Sequence, residues 1–283
     1  MTNKKTIIIT GSNAGIGFNT ALQAAKRNQR VIMACRNPDK AEKARQEILN
    51  AVPDADVAVR ILDLSSLGSV RQFATAIENE FPVIDTLINN AGVMPMHQEH
   101  TQDGFEMQFG VNYLGHFLLT HLLLPILSKS PDARIVHMSS LGHLLGSIRP
   151  KTFRGRQWYL MGLSSYGQSK LANVMFSNEL AAVLPPNVKS NAVHPGFVDS
   201  DFFRNIPKFV YVIWRKILVS PEISANFTVD MALADTWKDR TGEFVSAQGP
   251  LPKNPRLKNT ITSKKLYELS CRLTGATPIT HNA

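Results

Sequence analysis

The stretch TIIITGSNAGIG, residues 6–17, joins a short β-branched strand to a glycine-rich turn and the start of a helix. In this order, the turn presents free N–H groups and the positive end of the helix dipole, which together suit a pyrophosphate. Its glycines, Gly11, Gly15 and Gly17, follow G-x-x-x-G-x-G instead of the common G-x-G-x-x-G. We expect a dinucleotide-binding loop here, the alternative being a flexible strand-to-helix turn.

The rest of the chain repeats the alternation of strand and helix. Six further runs read as strands: RVIMACR (30–36), VAVRILDL (57–64), DTLINNAG (85–92), ARIVHMSS (133–140), VKSNAVHPG (188–196) and GEFVS (242–246). Helical segments separate them, which indicates βαβ units and a mainly parallel sheet. Nearly continuous apolar runs are typical of strands covered on both faces. The sequence therefore predicts an α/β fold with a single Rossmann-type, doubly wound parallel sheet of about seven strands and helices on both faces.

Composition favours a soluble globular protein with anionic ligands. The 283 residues are 43% hydrophobic and 19% charged, and 31 Lys and Arg against 22 Asp and Glu give a net charge of +9. The alternative is a basic, solvated surface. No run of Lys and Arg typical of nucleic-acid binding occurs, so we expect no nucleic-acid partner.

Cysteine use and apolar segments bear on the compartment. Cys35 and Cys271 lack the spacing of a metal site or a disulfide framework, so we predict no metal and a reducing compartment. MTNKK leads into the first strand without a signal-peptide segment. The longest apolar segments, 116–127 and 209–219, fall short of the ~20 residues that span a bilayer. We expect a cytoplasmic protein.

The end of the second strand discriminates between the two nicotinamide cofactors. An acidic residue there binds the ribose 2′-hydroxyl of NAD, whereas a basic residue accommodates the 2′-phosphate of NADP. Here the strand ends Ala34-Cys35-Arg36-Asn37, without a carboxylate. We therefore predict NADP(H), with the Arg36 guanidinium on the phosphate. The alternative is an arginine on a solvated edge.

Four polar residues have the chemistry of carbonyl reduction. Tyr166 and Lys170 are four apart on a predicted helix and share a face, Ser140 ends the fifth strand, and Asn112 lies on the inward stripe of the preceding helix. A developing alkoxide needs a proton donor and a second hydrogen bond, which Tyr166 and Ser140 can supply. We expect the Lys170 ammonium and the charge of an oxidised nicotinamide to bring the pKa of Tyr166 from about 10 to about 7, and Asn112 to hold a water.

Taken together, these motifs resemble the short-chain dehydrogenase/reductase family over about residues 5–247. The match comprises Thr10 to Gly17, the NNAG of 89–92, the four polar residues above as a catalytic tetrad, and the Pro-Gly loop at 195–196. The family usually has threonine where this chain has Ser200. The resemblance implies that Asp63 contacts adenine and that the Pro-Gly loop holds the nicotinamide carboxamide. Its implied cofactor contacts are Gly11, Ser12, Asn13, Gly15, Ile16, Gly17, Arg36, Asn37, Asp63, Leu64, Asn90, Ala91, Gly92, Tyr166, Lys170, Pro195, Gly196, Val198 and Ser200.

Within that family, three phrases resemble the retinol dehydrogenase and WW-domain oxidoreductase branch: VIMACRN, DGFEMQFGVNYLGHFLLT and YGQSKLANVMFSNEL. A long insertion between Ser140 and Tyr166 is shared with it and brings Trp158, Tyr159 and Met161 near the catalytic helix. Light-dependent protochlorophyllide reductases are an alternative. They usually have cysteine where this chain has Phe197, and alanine where it has Gly92.

The resemblance also implies a domain plan. Residues 1–247 form the NADP(H)-binding and catalytic domain, with a substrate-covering lid at about 197–222. Phe202, Phe203, Phe209, Tyr211 and Trp214 give that lid an apolar wall. Arg215 and Lys216 could instead meet anionic lipid headgroups, as a peripheral membrane contact. Residues 248–283, rich in Pro, Lys and Thr, are expected to be an irregular extension with one short helix near Leu266.

The sequence thus predicts an NADP(H)-dependent oxidoreductase that interconverts a small lipophilic carbonyl, aldehyde or ketone, and its alcohol. The alternative class is a non-catalytic dinucleotide sensor on the same fold. Family members often pair through the two long helices, here around 104–127 and 164–184, which suggests a homodimer or homotetramer. His116, His121 and His194 are expected to be structural histidines.

Overall fold

The computed structural model describes residues 4–155, 160–196 and 220–279 of the chain. Seven strands form one sheet in the order β3-β2-β1-β4-β5-β6-β7, and every neighbouring pair is parallel. The strands are β1 (Thr6–Thr10), β2 (Arg30–Cys35), β3 (Val57–Ile61), β4 (Thr86–Asn89), β5 (Ala133–Met138), β6 (Val188–His194) and β7 (Phe244–Ser246). The predicted doubly wound parallel sheet is confirmed.

Helices connect the strands and cover both faces of the sheet. They are α1 (Gly15–Lys26), α2 (Pro38–Ala51), α3 (Leu67–Glu80), α4 (Met107–Phe109), α5 (Gly115–Leu127), α6 (Leu163–Val183), α7 (Pro221–Leu233) and α8 (Thr260–Thr274). Two of them begin at residues whose side chains cap the first turn. Asn37 caps α2 ahead of Pro38, and the Ser66 hydroxyl accepts a hydrogen bond from the N–H of Ser69 at the start of α3.

The two faces of the sheet bury two hydrophobic clusters. Successive strand residues point to opposite faces, so Ile8 packs under α3, α5 and α6, whereas Ile7 and Ile9 pack under α1, α2 and α7. Every residue of β1, β4 and β5 is buried. Near-continuous apolar runs in the sequence were the visible sign of this double coverage.

The long helix expected around 104–127 is present over Met107–Leu127 and contains one π-helical turn. The short α4 leads into a π-helical turn at Gly110–Leu114, where the N–H of Gly115 donates to the carbonyl of Gly110, and α5 follows directly. Over Met107–Leu127, a run of 21 residues, the chain is apolar and long enough to span a bilayer, but 83% of its most apolar window is buried. This segment is a core helix of the fold, and the π-turn carries Asn112.

The C-terminal segment contains the helix that the sequence predicts near Leu266, but that helix is longer than expected. Helix α8 is a regular helix of 15 residues, capped by Asn259 and ended by Gly275 with a left-handed φ of 67°. Leu266 and Cys271 are buried in the same cluster as α5 and α6. The helical pattern was obscured because α8 also buries hydroxyl side chains, such as Ser270, whose Oγ donates to the carbonyl of Leu266.

The described parts of the insertion between Ser140 and Tyr166 pack against α6. Its 3₁₀ turns are Leu141–Leu145, Pro150–Thr152 and Leu160–Gly162. Phe153 stacks on Phe109 with ring centroids 3.8 Å apart, and Met161 is 62% exposed. Several expected site residues lie outside the described residues: Trp158, Tyr159, Phe197, Val198, Ser200, Phe202, Phe203, Phe209, Tyr211, Trp214, Arg215 and Lys216.

Candidate active site

The glycine loop lies where the sheet order changes direction, between β1 and β4. In open parallel sheets, ligands bind at such a point beyond the carboxyl ends of the strands. Gly11 and Gly15 have left-handed φ values of 64° and 56°, which favour glycine. Ala14, at the N-cap of α1, offers no side-chain hydrogen bond, so the first-turn N–H groups of α1 have no side-chain cap. An anionic pyrophosphate fits this end of the helix.

The glycines also have a packing role that the sequence did not indicate. A Cβ atom on Gly17 would overlap the side-chain amide of Asn90 and the carbonyl of Gly11, and one on Gly11 would lie 2.9 Å from the Cα of Ala91. The Asn90 amide donates to the carbonyl of Thr10 at 2.7 Å. Two of the three glycines therefore allow the loop to pack on the segment that follows β4.

The side chain of Thr10 holds the same segment. Its Oγ1 accepts hydrogen bonds from the N–H groups of Asn90 and Ala91, both at 2.9 Å. Ser12 was expected to contact the cofactor. Its hydroxyl donates to the carbonyl of Ile9 at 3.0 Å, so a cofactor contact of Ser12 would come from its main chain. The remaining loop residues, Asn13 and Ile16, are half-buried.

The residues expected to bind the adenosine half of the cofactor follow the ends of β2 and β3. Arg36 is exposed, and within the described parts of the chain its side chain has no hydrogen bond or ion pair. Asn37 uses its side-chain oxygen to cap α2, accepting from Lys40 at 2.9 Å. Asp63 is half-buried and accepts from the N–H and the hydroxyl of Ser65 at 2.9 and 2.7 Å. Leu64 is buried.

The four tetrad residues come together near the carboxyl end of β5. Lys170 is buried, its Nζ donates to the carbonyl of Met138 at 3.0 Å, and it lies 5.5 Å from the ring centroid of Tyr166. A Cβ on Gly92 would lie 3.6 Å from both Lys170 Nζ and Asn112 Oδ1. Gly92 therefore borders the space between the glycine loop and α6.

Asn112 is held by its own side chain. Its Oδ1 accepts from the N–H of Val93 at 2.8 Å, and its Nδ2 donates to the carbonyl of Val93 at 3.0 Å and to Ser169 Oγ at 3.1 Å. These bonds use both amide protons. The side chain therefore fastens the π-turn to the segment after β4 and to α6.

The hydroxyl of Ser140 lies beside the ring of Tyr166, because a Cβ on Gly142 would be 3.5 Å from Ser140 Oγ and 2.9 Å from two ring carbons of Tyr166. Burial raises the pKa of Tyr166, and the nearby Ser140 hydroxyl lowers it by a smaller amount. This differs from the expected lowering by Lys170. The physical reason is that Lys170 is itself buried, and the loss of hydration lowers its own pKa to about 8.

Near the tetrad, Gly142 had no role in the sequence-based prediction, and His116 was expected only to be a structural histidine. Gly142 packs against the ring of Tyr166, since a Cβ there would lie 2.9 Å from two ring carbons. His116 is buried between Thr10 and Asn112. Its position four residues after Asn112 on the same stripe was a sequence signal for that contact.

The Pro-Gly loop leaves β6 at the same edge of the sheet. Gly196 has a left-handed φ of 92°, and the carbonyl of Pro195 accepts a hydrogen bond from the Ser224 hydroxyl on α7. The loop therefore begins anchored to α7 beside the tetrad.

Gly17→Ala is expected to destabilise the protein by about 2–4 kcal/mol, because overpacking a site bounded by backbone forces the chain to move. Urea unfolding measures the change. Gly68→Ala is the matched control, since a Cβ on exposed Gly68 of α3 meets only Ser66 Oγ, at 3.6 Å. Equal stability of the Gly17 and Gly68 variants would contradict the packing role.

Comparison with known proteins agrees with this geometry. The family model "short chain dehydrogenase" matches residues 5–210. The chain is 42% identical to retinol dehydrogenase 12 of Mus musculus, covering 96% of this chain and 86% of the relative. It is 39% identical to human retinol dehydrogenase 13, covering 96% and 85%. A solved Mycobacterium Paratuberculosis protein superposes with a TM-score of 0.76 at 34% identity, covering 99% and 95%. The chain belongs to the short-chain dehydrogenase family, as a retinol dehydrogenase-like oxidoreductase.

Proposed function

We propose that this protein is an NADP(H)-dependent oxidoreductase that interconverts an apolar aldehyde or ketone and its alcohol. The observation that carries the proposal is the position of the Ser140 hydroxyl beside the phenol of Tyr166, with buried Lys170 one helical turn further along α6. A carbonyl oxygen that becomes an alkoxide requires a proton donor and a second hydrogen bond. The two hydroxyl groups supply both.

Each tetrad residue has a distinct task in the reduction direction. Tyr166 donates its phenolic proton to the substrate oxygen, and Ser140 holds that oxygen by a hydrogen bond. Burial suits this role because it raises the pKa of Tyr166 and keeps the phenol protonated. Lys170 provides positive charge beside the phenol and is placed to hold the nicotinamide ribose. Bound NADPH supplies the hydride.

The choice of NADP(H) rests on Arg36. Its guanidinium is exposed at the end of β2, beside a strand end that carries no carboxylate. A planar guanidinium binds a phosphate through two parallel hydrogen bonds. The glycine loop, Asp63, Asn90, Gly92 and the Pro-Gly loop border the rest of the proposed cofactor site.

Arg36→Asp is expected to weaken NADPH binding by at least about 30-fold, because a guanidinium–phosphate contact is replaced by repulsion between like charges. Binding of NADH should stay the same or improve. Fluorescence titration of both cofactors measures the change. Lys43→Asp, on the exposed face of α2, makes the same change of charge and serves as control. Equal losses for NADPH and NADH would contradict the proposed contact.

An apolar substrate is supported by the surface near the tetrad. Leu145, just beyond Ser140, is 68% exposed and Met161 is 62% exposed. Several relatives are named retinol dehydrogenases, and retinol is an apolar alcohol. The proposed lid, with Phe202 and Trp214, lies outside the described residues.

The activity itself is tested by NADPH oxidation with purified protein against retinal, medium-chain aldehydes, steroid ketones and aryl ketones. We expect turnover of at least one of these classes in the dark. A requirement for light would favour the protochlorophyllide reductase-like alternative. Tight NADPH binding with no turnover of any carbonyl would favour the non-catalytic sensor.

A cytoplasmic location, with Arg215 and Lys216 as a peripheral membrane contact, remains part of the proposal. A homodimer or homotetramer also remains part of the proposal. The surface through which its subunits would pair has to differ from the one expected from the sequence. Helix α8 packs on α5 and α6, with Tyr267 against Phe117 and Phe176. Because α8 occupies that face, pairing through α5 and α6 would require a different part of their surface.

A further inference from the structure

A chain of buried hydrogen bonds connects the glycine loop to the π-turn. Thr10 at the end of β1, His116 at the start of α5 and Asn112 in the π-turn are each at most 2% exposed. His116 Nε2 lies 2.8 Å from Thr10 Oγ1, and its Nδ1 lies 3.1 Å from the main-chain oxygen of Asn112. One imidazole ring therefore touches both halves of the site.

The direction of these bonds follows from counting lone pairs. Thr10 Oγ1 already accepts from the N–H groups of Asn90 and Ala91, which uses the two lone pairs of a hydroxyl. Its own proton must therefore be donated. His116 Nε2 at 2.8 Å is a nearer acceptor than the carbonyl of Ile88 at 3.4 Å. His116 then carries its proton on Nδ1 and donates it to the Asn112 carbonyl.

The neutral ring is the form that the site requires. A doubly protonated imidazole would direct Nε2–H at a hydroxyl oxygen with no lone pair left, at a fully buried position. Consistent with this, burial lowers the pKa of His116 to about 4, with a further lowering by Lys170. At neutral pH the ring therefore keeps Nδ1 as a hydrogen-bond donor and Nε2 as an acceptor.

The two ends of this chain of hydrogen bonds serve different parts of the proposed reaction. Thr10 holds Asn90 and Ala91 against the glycine loop, on the cofactor side. Asn112 belongs to the tetrad, and its side chain is bonded to Val93 and Ser169 beside Lys170. Displacing the Asn112 main chain would shift a tetrad residue without touching the glycine loop.

We propose that His116 is a positioning residue with two separable functions: Nε2 fixes the dinucleotide loop through Thr10, and Nδ1 fixes the tetrad through the Asn112 carbonyl. This inference rests on the proposed function, because it assigns the two contacts to NADPH binding and to turnover.

Two substitutions separate the contacts. The amide of an asparagine reaches the position of Nδ1, and that of a glutamine reaches the position of Nε2. His116→Asn keeps the bond to Asn112 and loses that to Thr10, so the Kd for NADPH should rise at least about tenfold while kcat at saturating NADPH stays within about threefold. His116→Gln does the reverse: Kd stays within about threefold and kcat falls at least about tenfold.

The same helix provides a matched control. His121 makes the same pair of contacts, with Nδ1 at 2.8 Å from the Phe117 carbonyl and Nε2 at 3.0 Å from the Tyr267 hydroxyl, away from the tetrad. His121→Asn and His121→Gln should leave both Kd and kcat unchanged. The inference is overturned if the His121 variants also change Kd and kcat separately. It is likewise overturned if both His116 variants weaken NADPH binding and lower kcat together, or if neither variant changes either quantity.

A measurement on the unaltered protein keeps the test independent of the folding of the variants. The ¹⁵N chemical shifts of the His116 ring in the cofactor-free protein should show a neutral ring protonated at Nδ1, and a ring protonated at Nε2 would overturn the inference. The proposed function fails separately, through absence of NADPH binding or of turnover in the wild-type protein.

Discussion

Tyr166→Phe is expected to lower kcat by about 10²–10⁴-fold, the range that positioned acid–base groups contribute, while the Kd for NADPH changes less than about twofold. The substitution removes only the hydroxyl, so the ring that packs against Gly142 stays in place. Steady-state kinetics with a carbonyl substrate and fluorescence titration of NADPH measure the two quantities.

Tyr267→Phe is the control for this loss of a phenol. Tyr267 lies on α8, and its hydroxyl contacts His121 and the N–H of Ile279, neither of which belongs to the tetrad, so kcat should not change. Turnover that persists in Tyr166→Phe would show that another group protonates the substrate oxygen. Loss of NADPH binding in that variant would instead show that the phenol holds the cofactor.

Lys170→Met is expected to have opposite effects on turnover and on stability. Turnover should fall at least about 100-fold, because the positive charge beside Tyr166 is lost. Stability of the cofactor-free protein at pH 7 should rise by about 1–3 kcal/mol, because burial of the ammonium lowers the pKa of Lys170 from 10.5 to about 8. Loss of the bond to the Met138 carbonyl offsets part of this gain.

The difference in stability between wild type and Lys170→Met should depend on pH. Between about pH 8 and 10.5 the unfolded chain binds more protons at this lysine than the folded protein does, so wild-type stability gains from Lys170 as pH rises through that window. Urea unfolding at pH 7 and at pH 10 should show the gap between wild type and Lys170→Met narrowing. Lys43→Met, exposed on α2, controls for loss of one charge. A variant that is less stable than wild type at pH 7 would contradict the account.

The sheet was predictable because its central strands β1, β4 and β5 are buried on both sides, and such strands carry apolar residues at nearly every position. The starts of α2 and α3 were predictable because Asn37 and Ser66 are local caps. The approach of Tyr166 to Ser140 followed from helix periodicity and from the rule that parallel strands end at one edge.

Other features depend on contacts between distant segments, which local patterns do not encode. Helix α8 buries Ser270 through a bond to the Tyr113 hydroxyl, 2.8 Å away, so its inner face does not look apolar in the sequence. Gly17 was expected to admit a phosphate, but its contact with Asn90 needs the fold to bring β4 beside the loop. The raised pKa of Tyr166 likewise follows from burial.

The sequence therefore predicts that the four tetrad residues come together, but it does not predict the contacts by which neighbouring residues hold them in place. Thr10, His116 and Gly142 are ordinary residues in isolation. Both lone pairs of the Thr10 hydroxyl are used by N–H groups, and the two ring nitrogens of His116 contact different segments. Gly142 packs so closely against Tyr166 that a Cβ would not fit.

The central claim is that hydride from NADPH and a proton from Tyr166 reach the same carbonyl group. The most direct measurement is deuterium transfer: NADPH labelled with deuterium at C4 of the nicotinamide is supplied with an apolar aldehyde, and the alcohol product is analysed by mass spectrometry. The account predicts one deuterium on the former carbonyl carbon of each product molecule with a single isomer of labelled NADPH, and none with the other. Alcohol formed without deuterium from either isomer would contradict it.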